Sequence, residues 1–154
     1  MMTHYTRTTA KDPDFVALVA ALDAELAVRD GDDHAFYAQF NTIDLIKHAV
    51  VLYADNRPVA CGAIKQYTED TVEIKRMYTI PAYRGKGLAK RILGELEQWA
   101  GELQYRRCIL ETGVNQPEAI ALYHRTGYTR IPNYGQYTGV EASLCFEKRI
   151  MVRS

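Results

Sequence analysis

The sequence predicts a mixed α/β domain: a mostly antiparallel, twisted sheet with one central parallel βαβ step, flanked by about four helices. Three observations carry that expectation. Residues 48–80 hold three apolar, β-rich blocks separated by "ADNRP" and "YTED", connectors of hairpin length that make the blocks antiparallel neighbours. From Gly85 the apolar residues switch to a spacing of three and four, the period of a helix. That helix leads into a further apolar strand, "RRCILETG", and a crossover of this length leaves the strands on either side of it parallel.

Taken in order, a short strand opens the chain around Tyr5–Thr9. A helix follows, with Asp12 as N-cap, Pro13 in the first turn, Gly31 as the stop, and Phe15, Leu18, Val19, Leu22 and Leu26 on one face. A second, shorter helix covers His34–Asn41. Strands span roughly 48–54, 58–66 and 71–80, the last ended by Pro81. The next helix, 85–103, carries Leu88, Ile92, Leu96, Trp99 and Leu103 as its apolar stripe. Strand 107–112 precedes a helix in "QPEAIALYHRTGY", with Pro117 near its start and Gly127 at its C-cap. A loop, "IPNYGQYTGV", and a final strand, "ASLCFEKRI", complete the order.

At 154 residues one domain, 1–154, is the economical organisation. Apolar and charged contents of 47% and 25% are those of a globular chain. The balance of 19 basic and 19 acidic residues argues against a surface built for nucleic acid or anionic membrane. Cys61, Cys108 and Cys145 stand apart within apolar runs, without CxxC or Cys–His spacing, and read as buried reduced thiols rather than metal ligands. No apolar run has signal-peptide or membrane-spanning length, so the expected location is the cytoplasm.

"YRGKGLAKRI" concentrates two glycines and four cations between a strand and a helix. Free amides at a helix N-terminus attract phosphate, and glycines let it approach the backbone. Arg84 and Lys86 add charge; Lys90 and Arg91 also suit a solvated helix face. The P-loop pattern fails, since no Ser or Thr follows Lys86. The dinucleotide pattern GxGxxG starts at Gly85 and Gly87 but meets Lys90 at its third position. Glu111 could serve as its ribose acid, yet three antiparallel strands precede the loop and too little chain follows for a doubly wound sheet.

"VEIKRMYTIPAYRGKGLAKRIL" resembles the acetyl-coenzyme-A-binding segment of the GNAT (Gcn5-related) N-acetyltransferases. That family carries Q/R-x-x-G-x-G/A at a strand-to-helix turn; here Ala82 or Tyr83 leads into Arg84, Gly85, Lys86, Gly87, Leu88 and Ala89. "EAIALYHRTGY" is similar to the family's second conserved helix, and the element order matches throughout. Where the family often has Asn three residues before that helix's alanine, this chain has Gln116, with Asn115 one place earlier.

The resemblance implies acetyl transfer from acetyl-CoA to a primary amine, in a ternary complex and by direct attack. It assigns the pyrophosphate to the 84–89 loop, and the pantetheine arm and thioester carbonyl to backbone at Met77, Tyr78 and Thr79. Asn115, Gln116 and Tyr123 supply further cofactor contacts. Glu73 takes the place of the family's base, on the same strand as Met77 and projecting to the same face; pairing with Lys75 or Arg76 at the sheet surface is its other reading. Tyr123 takes the place of the acid that protonates the leaving thiolate, with a core aromatic as the alternative, and His124 faces the surface. For the acceptor, Asp30, Asp32, His34, Tyr134 and Tyr137 would form an acidic, aromatic mouth for a cationic amine, whereas Lys75 and Arg76 would favour an acceptor bearing a carboxylate or phosphonate. A homodimer is compatible with the family. A non-catalytic acyl-CoA sensor and a nicotinamide oxidoreductase are the rival functions.

Overall fold

A computed structural model describes residues 1–31 and 46–153. Seven strands form one sheet: β1 (Thr3–Thr8), β2 (His48–Ala54), β3 (Arg57–Gln66), β4 (Thr71–Thr79), β5 (Arg107–Gly113), β6 (Thr129–Ile131) and β7 (Ser143–Arg149). The helices are α1 (Pro13–Asp30), α2 (Leu88–Glu102) and α3 (Pro117–Arg125). Among the described residues the strand order is β1-β2-β3-β4-β5-β7-β6, and only the β4–β5 pair is parallel. The expected mixed sheet with its central βαβ step is therefore present. It lacks the run of parallel strands that a dinucleotide fold would need. The helix expected over His34–Asn41 lies outside the described residues.

Local signals account for most of the elements. Asp12 caps α1, its Oδ1 accepting from the N–H groups of Asp14 at 2.8 Å and Phe15 at 3.2 Å. Phe15, Leu18 and Val19 bury one stripe of α1 against Ala49, Val51, Cys61 and Ala63 on one face of the sheet. On the other face, Leu88, Ile92, Leu93, Leu96 and Ala100 of α2 pack on Val50, Leu52, Val72, Ile74 and Leu110. The three cysteines are free and buried. His124 is exposed.

Three expectations need correction. Helix α2 starts at Leu88, not 85, because Gly85 and Gly87 have φ of +78° and +77° and cannot continue a right-handed helix. Its stripe ends on Ala100 and Gly101, with Leu103 left 38% exposed. Strand β6 is absent from the sequence reading, since three residues are too few to carry a period.

The structurally consequential departure is in β4. Cys61 pairs with Tyr78 and Ala63 with Lys75, so Gly62 alone stands opposite Arg76 and Met77. This is a β-bulge, with Arg76 at φ +62°. The extra residue reverses the alternation of side chains. Val72 and Ile74 lie in the α2-side core, placing Glu73 on the α1 side; past the bulge, Met77 again packs on the α2 side and Tyr78 on the α1 side. Glu73 and Met77 thus project to opposite faces, contrary to the alternation expected of an unbroken strand.

Candidate active site

Beyond the bulge β4 leaves its parallel neighbour. The β4–β5 ladder covers only Thr71–Glu73 opposite Arg107–Ile109, while β5 continues to Gly113 beside β7. From Ile74 to Thr79 the β5-facing edge of β4 has no strand beside it among the described residues. The wedge between the diverging strands opens into a cleft of about 710 Å³, walled by α1 (Leu22, Glu25, Leu26, Arg29), by β4 from Glu73 to Thr79, by Glu111 and Thr112 of β5, and by the first turns of α2 and the inner side of α3.

At one end of the cleft lies the glycine loop. Gly85, Gly87, Leu88 and Ala89 line it. Gly87 is the N-cap of α2, and no side chain caps that helix, so its first amides are open. A Cβ built on Gly85 or Gly87 would meet nothing within 4 Å. Arg84 is committed elsewhere: its Nε donates to the Thr79 carbonyl at 2.9 Å, its Nη2 to Glu25 at 2.7 Å, and its guanidinium lies 5.5 Å from the Tyr78 ring centre. Arg29 of α1 pairs with Glu118 of α3 on the opposite wall. Ion pairs therefore tie α1 to both banks.

At the inner end are the titratable groups. Glu73 is buried; its Oε2 accepts from the Tyr134 hydroxyl at 2.6 Å and its Oε1 lies 3.7 Å from Lys75 Nζ. The pairing with Lys75 exists, but inside the fold rather than at a sheet surface. Burial pushes Lys75 below the ordinary lysine range. Tyr134 packs edge-on against Tyr67 and Tyr137. Tyr123 is 5% exposed, wedged against Tyr128 and Phe146; burial, with the charge of Glu111 behind it, raises its phenol well above 10, so it carries its proton at neutral pH. Arg76 is 6% exposed, its Nη1 3.3 Å from Asp23 of α1.

Most of the residues singled out from the sequence converge here. Glu73, Met77, Tyr78, Thr79, Arg84, Gly85, Gly87, Leu88, Ala89, Gln116, Tyr123 and Tyr137 line the cleft. Lys86 is exposed outside its lining. Asn115 turns away, its Nδ2 donating to the Arg29 carbonyl at 3.5 Å. Tyr134 reaches the site through Glu73 rather than the mouth. Asp32 and His34 lie outside the described residues, as does the side chain of Asp30. Sequence reasoning missed the wall supplied by Leu22, Glu25, Leu26 and Arg29. The signal for it was present: a helix followed by antiparallel strands must cover one sheet face, and its polar flank then borders the cleft.

Residues 15–128 match the model of the acetyltransferase (GNAT) family. An uncharacterised N-acetyltransferase of Escherichia coli K12, YjgM, is 45% identical over 84 residues, a stretch covering 53% of this chain; the chain spans half the length of that relative. A crystal structure described as an acyl-CoA N-acyltransferase, from Klebsiella pneumoniae, superimposes with a TM-score of 0.81 at 30% identity, covering 97% of this chain and 99% of the other. The PaiA N-acetyltransferase of Thermoplasma acidophilum, crystallised with coenzyme A, shares the fold at a TM-score of 0.72 and 16% identity over 97% and 99% of the two chains.

Proposed function

The chain belongs to the acetyltransferase (GNAT) family, and we propose that it moves an acetyl group from acetyl-CoA to a primary amine of a small molecule. The observation that carries this reading is the unpaired edge of β4 from Ile74 to Thr79, which ends at a glycine loop with open helix amides. An extended pantetheine arm carries amides that suit such an edge, in the manner of an added strand. A pyrophosphate suits the amides of 85–89, with no Cβ in front of them and the positive end of α2 behind. The groups present therefore fit acetyl-CoA, which supplies an activated acyl thioester.

The chain's own residues then have three tasks. Backbone N–H groups around Met77–Tyr78 polarise the acyl carbonyl as negative charge develops on its oxygen. Glu73 takes a proton from the attacking amine, which arrives mostly as ammonium at a pKa of about 10.4; Tyr134 holds its carboxylate in place. Tyr123, protonated and on the opposite wall, gives its proton to the departing sulfur. Proton donor and acceptor thus come from different elements, α3 and β4, facing across one wedge. Residues 1–154 form one domain in this reading, working in the cytoplasm, and a homodimer is compatible with β1 and β6, the outer strands of the described sheet.

Calorimetric titration with acetyl-CoA, with NADH in parallel and Arg84→Glu as control, tests the cofactor. Saturable acetyl-CoA binding, lost in the variant, is expected; absent binding or tighter NADH refutes it. Turnover of amines, followed by thiol release, separates an enzyme from a sensor: Glu73→Gln and Tyr123→Phe should bind acetyl-CoA and lose turnover.

A further inference from the structure

Arg76 is the least satisfied charge among the described residues. Its side chain is 2% exposed, and its Nε and Nη2 are buried without a hydrogen-bond partner. Leaving such donors unmade costs on the order of 1–3 kcal/mol each, more for charged groups. The unmade donors are not scattered. Nε–H and Nη2–H lie on one edge of the planar guanidinium, the edge that grips a carboxylate side-on through two parallel hydrogen bonds. Asp23 sits at the other end, on Nη1. Asp23 is itself 44% exposed and holds the guanidinium without occupying that edge.

The backbone has been bent to put this group where it is. Arg76 occupies the bulge of β4 at φ +62°, a conformation costing a non-glycine residue roughly 1–2 kcal/mol. It lines the same cleft as Glu73, Lys75 and Tyr137. Lys75 adds a second buried cation, 11% exposed by its side chain.

Building on the proposed transferase activity, we propose that the acceptor is an amine that also bears a carboxylate, bound by the Nε–Nη2 edge of Arg76 with Lys75 beside it. Arg76 stands three positions along the strand from Glu73, about 10 Å at most. The carboxylate and the reacting amine therefore belong to one small molecule, of the amino-acid class. Recognition and deprotonation are divided along β4: the cation at the bulge reads the acid, and Glu73, before the bulge, addresses the amine.

The test uses matched sets in which only the carboxylate changes: each of the twenty amino acids, its primary amide and its decarboxylated amine. Thermal shift of the wild-type protein without acetyl-CoA reads the carboxylate site directly; thiol release with acetyl-CoA reads turnover. At least one acid should stabilise the protein where its amide does not. That acid should exceed its neutral partners in kcat/KM by about tenfold or more. Arg76→Gln should bring acid and amide within about twofold of each other, Arg76→Lys should keep part of the preference, and acetyl-CoA affinity should stay put in both. Turnover of neutral amines as good as that of their acids overturns the proposal, as does acid preference surviving in Arg76→Gln. The wild-type comparison decides even where a variant does not fold. A carboxylate-selective thermal shift in a protein that does not bind acetyl-CoA would leave this site standing while removing the transferase reading.

Discussion

Replacing Gly87 by alanine tests the glycine loop against a control built into the same helix. Gly87 sits at φ +77°, ψ 14°, and an added Cβ would meet nothing within 4 Å, so the cost in the free protein is that of backbone strain alone. For an alanine in the left-handed region that is about 1–2 kcal/mol. With each kcal/mol moving the melting temperature of a chain this size by about 2–4 °C, the expected fall is roughly 2–8 °C. Gly94, inside α2, is exposed, has no positive φ and also has open space at its Cβ. Alanine there removes a flexible residue from a helix interior and gains roughly 0.5–1 kcal/mol, raising the melting temperature by about 1–4 °C. Acetyl-CoA binding should separate the pair again. The Gly87 methyl stands before the amides that would meet the pyrophosphate; losing one charge-assisted hydrogen bond weakens binding on the order of tenfold or more, while Gly94→Ala binds as wild type. Scanning calorimetry and titration calorimetry read both quantities. Melting shifts of the same sign, or wild-type affinity in Gly87→Ala, would refute the reasoning.

Arg84 cannot serve a pyrophosphate while it is held by Glu25 at 2.7 Å, so Glu25→Gln should tighten acetyl-CoA binding by about two- to fivefold at low salt, the worth of a surface pair; an unchanged affinity would show that Arg84 is not released. Tyr134→Phe removes the 2.6 Å hydrogen bond to Glu73 and should lower kcat about tenfold with the KM for acetyl-CoA unmoved, whereas a parallel rise in KM would mark general damage to the cleft. Burial raises the phenols of Tyr123, Tyr128, Tyr134 and Tyr137 above the ordinary value near 10. The neutral forms are thus favoured by the folded state, so their contribution to stability is intact below pH 10 and is lost as the pH rises beyond it. Tyrosinate absorbance should accordingly show these residues ionising together with loss of near-ultraviolet circular dichroism; smooth ionisation near pH 10 in a folded protein would contradict the burial.

The fold was legible because its signals are local. Asp12 and Pro13 open α1, the hairpin connectors set β2–β4 antiparallel, and a helix between two apolar strands makes the one parallel pair. The cleft lining was legible for a related reason: Gly85, Gly87, Glu73 and Tyr123 lie in or beside short motifs, and the fold brings all four to the wall of one cleft. What escaped depends on pairing between distant segments. Nothing in "VEIKRMYT" announces a bulge, because a bulge is a mismatch in count between two strands, settled by how β3 and β4 register on either side of Gly62. The Glu25–Arg84 and Arg29–Glu118 ties escaped for the same reason, since they join residues far apart in sequence.

That one mismatch has several consequences for the site. A bulge bends its strand and increases its twist, and here the β4–β5 ladder stops just before it, at Glu73, opening the wedge. It returns Met77 to the α2 side, where Gly62 leaves room: a Cβ on Gly62 would come within 2.8 Å of Met77, Ile92 and Leu96. It also holds a buried arginine in a left-handed conformation with two of its three guanidinium nitrogens, Nε and Nη2, unpartnered. The strained conformation and the buried, partly unsatisfied charge are both unfavourable for folding alone. A sequence selected only for stability would have placed glycine at the strained position and an apolar residue at the buried one. Their coincidence at a single residue, on the wall of the cleft and three positions from Glu73, is the ground on which the acceptor-reading role proposed for Arg76 rests.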